Sequence, residues 1–249
     1  MNNIRGSVAV VTGAASGIGL GIAHGLAAEG ANLLVTDIDG DGLALAAAEL
    51  RTHGTQVEAA TLDVRDPAAF EIVGDRCVER FGALNIAVNN AGIVNGGLAW
   101  ELSLDDWHKV IDINLWGVIH GVHAFVPRIL ASGAEGHVVN VASMAAVDAI
   151  SRLAPYTVAK HGVLGLSDVL RADLASVDAL VGVSVVFPGR IKTGMNPIGT
   201  VEPATVAANV IDAIKRQRPY VFTDDHSTAE VRSRLEAILS ARGDVIDAS

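Results

Sequence analysis

The sequence predicts a doubly wound α/β fold, with one central parallel sheet of about seven strands and helices on both faces, and three observations carry that prediction. Apolar runs of four to six residues alternate with longer amphipathic stretches from one end of the chain to the other. The runs are rich in Val and show little period-two alternation, as expected of strands covered by helices on both faces. A cluster of glycines follows directly on the first run and opens an apolar helical stretch.

In chain order the strands are expected at Ser7–Val11, Asn32–Thr36, Gln56–Thr61, Asn85–Val88, His137–Val141, Val181–Phe187 and Tyr220–Phe222. Helices are expected to start near Gly17, Gly40, Pro67, Ser103, Pro155 and Pro203, each long enough for a right-handed crossover between parallel strands. The helix from Ser103 reaches about Ala131 and that from Pro155 about Ser176. A last helix, Thr228 to Ala241, packs on one face or on a neighbouring subunit. No fixed-period repeat, low-complexity tract or linker divides the chain, so residues 1–249 read as one domain with a variable loop at about 190–203.

Composition narrows the functional classes. Half of the 249 residues are apolar and 18% are charged, enough to bury a large core and incompatible with a disordered chain. The net charge of −10, with no basic run, argues against nucleic-acid and anionic-membrane partners and for small molecules or copies of the chain itself. Cys77 is the sole cysteine, which removes disulfides within the chain and thiolate clusters from consideration and fits a reducing, cytoplasmic location. The opening stretch has the outline of a signal peptide, but a Gly/Ser cluster with chemistry of its own interrupts it. The longest weakly polar run, Ile113–Pro127, carries Asn114, His120 and His123 and is too short to span a bilayer.

After the first strand the chain reads Thr12-Gly13-Ala14-Ala15-Ser16-Gly17-Ile18-Gly19 and enters a helix. Gly13, Gly17 and Gly19 permit a tight turn and close backbone approach, and the helix start with Ser16 and Ile18 offers free N–H groups to a pyrophosphate. The domain is therefore expected to be of Rossmann type. Asp37, at the end of the second strand, is placed to accept both adenosine ribose hydroxyls and to repel a 2′-phosphate, so NAD is expected rather than NADP. The bland alternative is that Asp37 serves a turn. Asp63, before Val64, is the candidate for the adenine amino group.

Tyr156 and Lys160 stand at i and i+4 on the helix that opens at Pro155 and so share a face, where the ammonium is expected to lower the phenol toward neutrality. Ser143 is read as closing the fifth strand at the carboxyl edge of the sheet, where folds of this class bind ligands.

With these residues in hand, the chain from about Gly6 to about Phe222 resembles the short-chain dehydrogenase/reductase family. The matching motifs are Thr12–Gly19, Asn89-Asn90-Ala91-Gly92, Asn114 within Asp112–Leu115, Ser143, Tyr156-x-x-x-Lys160, and Pro188-Gly189 with Thr193. The resemblance implies a tetrad of Asn114, Ser143, Tyr156 and Lys160, with Asn114 kinking its helix so that a water links Lys160 to solvent. It implies that Asn90 and its neighbours Ala91 and Gly92 brace the sheet beside the cofactor, with Val64, Pro188 and Gly189 also in contact, and that Ile191 and Thr193 hold the nicotinamide amide. It also implies a homotetramer or homodimer, with the Ser103 and Pro155 helices at the interface.

The implied reaction is NAD(H)-dependent interconversion of a secondary alcohol and a ketone, with Lys160 binding the nicotinamide ribose of the cofactor while it holds the phenolate charge. The variable segments are rich in Ala, Val, Ile and Leu, pointing to a moderately apolar or bulky substrate. Two alternatives stand beside this reading: a polyol or sugar dehydrogenase of the same family, and a Rossmann protein that senses NAD(H) without turnover. No metal is expected. His120 and His123 lack a third ligand and read as helix-surface or interface residues, and Trp100, Trp107 and Trp116 as packing or subunit contacts. Arg190, after Pro188-Gly189, reads as an outward side chain that pairs with a surface acid or stacks its stem on the loop, the alternative being a guanidinium that meets a substrate carboxylate.

Overall fold

A computed structural model describes residues 1, 3–224 and 228–247. Seven parallel strands form one sheet in the order β3-β2-β1-β4-β5-β6-β7, where β1 is Val8–Thr12, β2 Asn32–Asp37, β3 Val57–Thr61, β4 Ile86–Asn89, β5 Gly136–Val141, β6 Val181–Phe187 and β7 Tyr220–Phe222. Each lies within a residue or so of its expected span. The order reverses between β1 and β4, the switch point at which such sheets open a crevice.

The strands alternate between two cores although their sequences hardly alternate. Ala9, Val11, Leu33, Val35, Ile86 and Val88 face α1 (Gly17–Ala28), α2 (Gly40–Arg51) and α7 (Pro203–Arg216). Val8, Val10, Leu34, Ala87 and Val138 face α3 (Pro67–Phe81), α5 (Gly117–Ala131) and α6 (Ala154–Ser176). Both faces are covered, so apolar residues follow one another along the strands with little alternation.

The helix expected from Ser103 is interrupted. Ser103 caps α4 (Leu104–Ile111), accepting from the Asp106 N–H at 3.1 Å, and residues Asp112–Trp116 then form a π-helical turn before α5 begins. The whole run Leu104–Ala131 is helical, longer than the apolar segment in the sequence and long and apolar enough to cross a bilayer by length and composition. Here it packs on the sheet, with Phe125 and Ile129 fully buried against it. The last helix, α8, runs from Thr228 to Asp247, beyond its expected end; Val231 packs beside Phe187 and the Arg234 guanidinium donates to the Val147 carbonyl at 2.8 Å.

Candidate active site

The carboxyl ends of β1, β2, β4, β5 and β6 surround one cleft of about 940 Å³, at the upper end of the range for small-molecule and cofactor sites. The glycine loop forms part of its wall. Gly13 and Gly17 hold φ of +66° and +58°, and a Cβ on Gly13 would lie 2.8 Å from both the Ala91 Cα and the Asn90 Nδ2. A Cβ on Gly19 would collide with the Gly13 carbonyl. Ser16 caps α1 in extended conformation without a side-chain bond to the helix, so its hydroxyl and the first N–H groups of α1 stand open at the cleft. Asn90 fastens the loop to β4: its Nδ2 donates to the carbonyls of Thr12 (2.9 Å) and Gly13 (3.1 Å), and the Thr12 hydroxyl accepts from the N–H groups of Asn90 and Ala91.

At one end of the cleft, the Asp37 carboxylate accepts from the Ala15 N–H and the Asp39 N–H, both at 3.0 Å. It therefore serves the turn and still lines the cleft with lone pairs to spare. Asp63 is already engaged, since the Arg65 guanidinium binds both its oxygens and holds its carboxyl below the usual range. Arg65 lines the cleft beside it, so a cation as well as two acids borders this end. The Val64 carbonyl is met by Nδ1 of His120 at 3.0 Å, which gives that histidine a definite structural task.

At the other end lie Ser143, Tyr156, Lys160 and Asn114. Strand β5 ends at Val141, so Ser143 stands two residues beyond it, where its hydroxyl accepts from the Ala145 N–H (3.1 Å) and hydrogen-bonds the Tyr156 phenol. The ammonium of Lys160 is buried, donates to the Val141 carbonyl at 2.9 Å and lies 5.5 Å from the centre of the Tyr156 ring. Burial raises the Tyr156 phenol above its ordinary value, and the Ser143 hydrogen bond offsets this only in part. Burial also lowers Lys160 to about 8. The expected lowering of Tyr156 toward neutrality is thus reversed here, because desolvation by burial outweighs the Ser143 hydrogen bond.

Asn114 occupies the π turn and is fully buried. Its Nδ2 donates to the carbonyls of Val110 and Ile93, both at 2.9 Å, and its Oδ1 accepts from the Ile93 N–H at 3.2 Å. A Cβ on Gly92 would stand 2.7 Å from that Oδ1 and 3.6 Å from the Lys160 Nζ.

The segment after β6 closes the far wall. The Pro188 carbonyl accepts from the Met144 N–H (3.1 Å), tying this segment to the neighbour of Ser143, and the Gly189 N–H donates to the Thr223 hydroxyl. Residues 190–201 fold back on themselves: Ile191 bridges to Val201, and Thr193 to Asn196, while Thr193 sits over the position a Cβ on Gly17 would take. Ile93, Val94, Ile150, Leu153 and Met195 make the lining near Tyr156 apolar. Of the site residues expected from the sequence, all but Gly19 and Lys160 line the cleft directly; those two stand behind its wall. Arg65 and the carbonyls of Val141 and Ile93 carry no local signal of a role, because only the folded chain brings them here.

Residues 7–200 match the family model of the short chain dehydrogenases. The chain is 41% identical over 246 residues to 1-deoxy-11-beta-hydroxypentalenate dehydrogenase of Streptomyces avermitilis, covering 94% of this chain and 88% of that protein. A crystal structure of a short chain dehydrogenase/reductase from Burkholderia phymatum in complex with NAD superposes with a TM-score of 0.92 at 31% identity, over 97% of each chain. Carveol dehydrogenase from Mycobacterium avium, also crystallised with NAD, superposes with a TM-score of 0.85 at 27% identity, over 92% of this chain and all of that one.

Proposed function

The chain belongs to the short-chain dehydrogenase family of oxidoreductases, and from that premise we propose that it interconverts a secondary alcohol and a ketone with NAD(H). The observation that carries this reading is a single cleft holding the glycine loop and Asp37 toward one end and Ser143, Tyr156 and Asn114 toward the other, with Lys160 behind. NAD fits the residues present. The opening of α1 offers N–H groups and the Ser16 hydroxyl to a pyrophosphate, and Asp37 offers acceptors where a ribose would lie. Val64, Ala91, Pro188, Ile191 and Thr193 would hold the remainder, and the relatives crystallised with NAD support the same choice.

Bound there, the nicotinamide supplies the hydride acceptor in oxidation and the donor in reduction. Tyr156 takes the hydroxyl proton of the alcohol, or returns one to the ketone, and Ser143 hydrogen-bonds the same oxygen. Lys160 holds positive charge beneath the phenol, and Asn114 fixes Ile93 and the π turn around it. The apolar lining at Ile93, Val94, Ile150, Leu153 and Met195 favours a moderately apolar or bulky substrate over a polyol or sugar. The curated relative is likewise named as the dehydrogenase of a hydroxylated compound. We further read residues 1–249 as one cytoplasmic catalytic unit with residues 190–203 as its substrate loop. We assign it a homotetramer or homodimer, supported by exposed Trp116 at the start of α5 and exposed Val158 and Val169 on α6.

The test is NADH consumption against a panel of ketones and NAD reduction against the matching alcohols. Turnover in either direction is the expected result. Binding of NADH without consumption of any compound would leave a cofactor sensor instead.

A further inference from the structure

Of the cations on the cleft wall, Arg190 and Lys109 make no ion pair among the described residues, and of these two only Lys109 lies in the field of an acid, Asp106. The other two at or just behind the wall are committed, Arg65 to Asp63 and Lys160 to the Val141 carbonyl. On the same short segment Lys192 pairs with Glu202 at 3.5 Å, whereas the guanidinium of Arg190, which is exposed, makes no ion pair or side-chain hydrogen bond among the described residues. Asp224, whose carboxylate packs against Gly189, has an interaction of its own. The outward pairing expected from the sequence is therefore not what the fold makes.

The backbone around Arg190 is fixed. Its carbonyl accepts from the N–H groups of Thr200 (2.8 Å) and Val201 (3.1 Å), and two residues earlier the Pro188 carbonyl is bonded to Met144, next to Ser143. No more than about 7 Å of backbone separates Arg190 from that anchor. The acidic residues that line the cleft, Asp37 and Asp63, lie on the loops after β2 and β3, while the lining drawn from residues 143–156 and 188–196 carries no acid and, beside Ser143, Tyr156, Arg190, Thr193 and Asn196, is apolar. A cation held on a rigid loop at the rim of an apolar chamber, with its bidentate fork unused, matches an apolar molecule that ends in a carboxylate.

We propose that Arg190 is a substrate-binding residue and that the cleft takes apolar hydroxy or oxo acids, the carboxylate docking on the guanidinium and the alcohol or ketone lying at Tyr156. This rests on the oxidoreductase reading for the second half of the statement alone. The two parts separate experimentally.

The probe is an apolar monocarboxylate, decalin-2-carboxylate, set against its methyl ester, with binding to the NADH-loaded protein measured by isothermal titration. The acid should bind the parent at least about tenfold more tightly than the ester, which is about 1.4 kcal/mol. Arg190→Ala should abolish that preference and leave the ester unchanged, while Arg190→Lys should keep part of it. NADH affinity serves as the check that each variant is folded. Equal affinity of acid and ester for the parent, no binding of the acid at millimolar concentration, or an equal loss of both compounds in Arg190→Ala would each overturn the assignment. Turnover of the 4-oxo analogue is then measured separately. Selective binding without turnover upholds Arg190 and counts against the proposed reaction.

Discussion

Lys160 donates to the Val141 carbonyl at 2.9 Å while its charge lies only 5.5 Å from the centre of the Tyr156 ring, so one ammonium is both strut and counter-charge. Because burial raises the phenol in this structure, oxidation of an alcohol should accelerate with pH through the alkaline range. A phenol is a base only after losing its proton, so the limb rises with pH, and kcat/KM reports the free enzyme. A flat kcat/KM between pH 7 and 10, with chemistry rate-limiting, would remove Tyr156 from that role. Tyr156→Phe should cut turnover at least about a hundredfold with NADH affinity nearly intact. Lys160→Ala should impair both, measured as separate changes in kcat and in the KM for NAD.

Cofactor choice should rest on Asp37. The unmodified protein should prefer NAD over NADP by at least about tenfold in kcat/KM, on the order of 1.4 kcal/mol, modest for a carboxylate facing a phosphate. Asp37→Asn should narrow the gap chiefly by improving NADP, since the amide oxygen still accepts one backbone N–H. Asp37→Ala should also weaken NAD, because the bonds to Ala15 and Asp39 are lost with it. Equal use of both cofactors by the parent would exclude the assignment.

Two glycines should respond in opposite ways to the same change. At Gly92 an added methyl meets the Asn114 amide oxygen at 2.7 Å, so Gly92→Ala should lower activity at least about tenfold through displacement of Asn114 and Lys160. Gly165 lies inside α6 with nothing within 4 Å of the place an added methyl would take, so Gly165→Ala should be neutral or raise stability by up to about 1 kcal/mol. Thermal melts and specific activity of the pair read both effects. A Gly92→Ala enzyme with full activity would show the Asn114 position to be dispensable.

His137 should make the protein acid-sensitive. It is buried in β5 with Nε2 at 2.8 Å from the Ser184 hydroxyl, and desolvation, with a smaller push from the chain's amino terminus, lowers it from 6.5 to about 3. The folded state keeps it neutral while the unfolded chain takes up a proton below about pH 6.5, so stability falls as the pH drops from there toward 3. The upper limit is about 5 kcal/mol for a shift of this size. Urea unfolding of the parent and of His137→Gln at pH 7 and pH 4.5 should show the smaller loss in the variant. Titration of the His137 ring in the native state between pH 7 and 5, seen by NMR, would refute the reading.

The features legible in the sequence are those written in local pattern. The seven strands, the glycine turn and the Tyr156–Lys160 spacing each depend on neighbours a few residues away, and each is found within a residue or so of its expected place. What could not be read depends on contacts across the fold. A break in the helix at Asn114 is implied by the family resemblance, but its π form is not, because it exists where Asn114 bonds both Val110, four residues back, and Ile93, on another loop. The direction of the Tyr156 shift follows from desolvation, a property of the assembled chamber. Ser143 lies past the strand it was expected to end, because β5 stops at Val141 and the chain turns at once into a short 3-10 helix. Asp63 differs from these, since Arg65, which takes up its oxygens, stands only two residues on and the sequence already sets the two side by side.

The π turn at Asp112–Trp116 amounts to one surplus residue threaded into an otherwise regular spiral. It sets the phase between the two halves of the rod. Upstream of it Val110 is buried, and downstream Val118, Gly121 and Phe125 keep their own stripe against the sheet. Deleting one residue within it would remove the surplus and leave the two halves in phase, whereas winding all of its residues at 3.6 per turn would rotate one half against the other by about 100°. Wound that way, the chain would have to sacrifice either the inward stripe of α5 or the inward amide of Asn114, so in this segment the winding of the chain is as constrained as its chemistry.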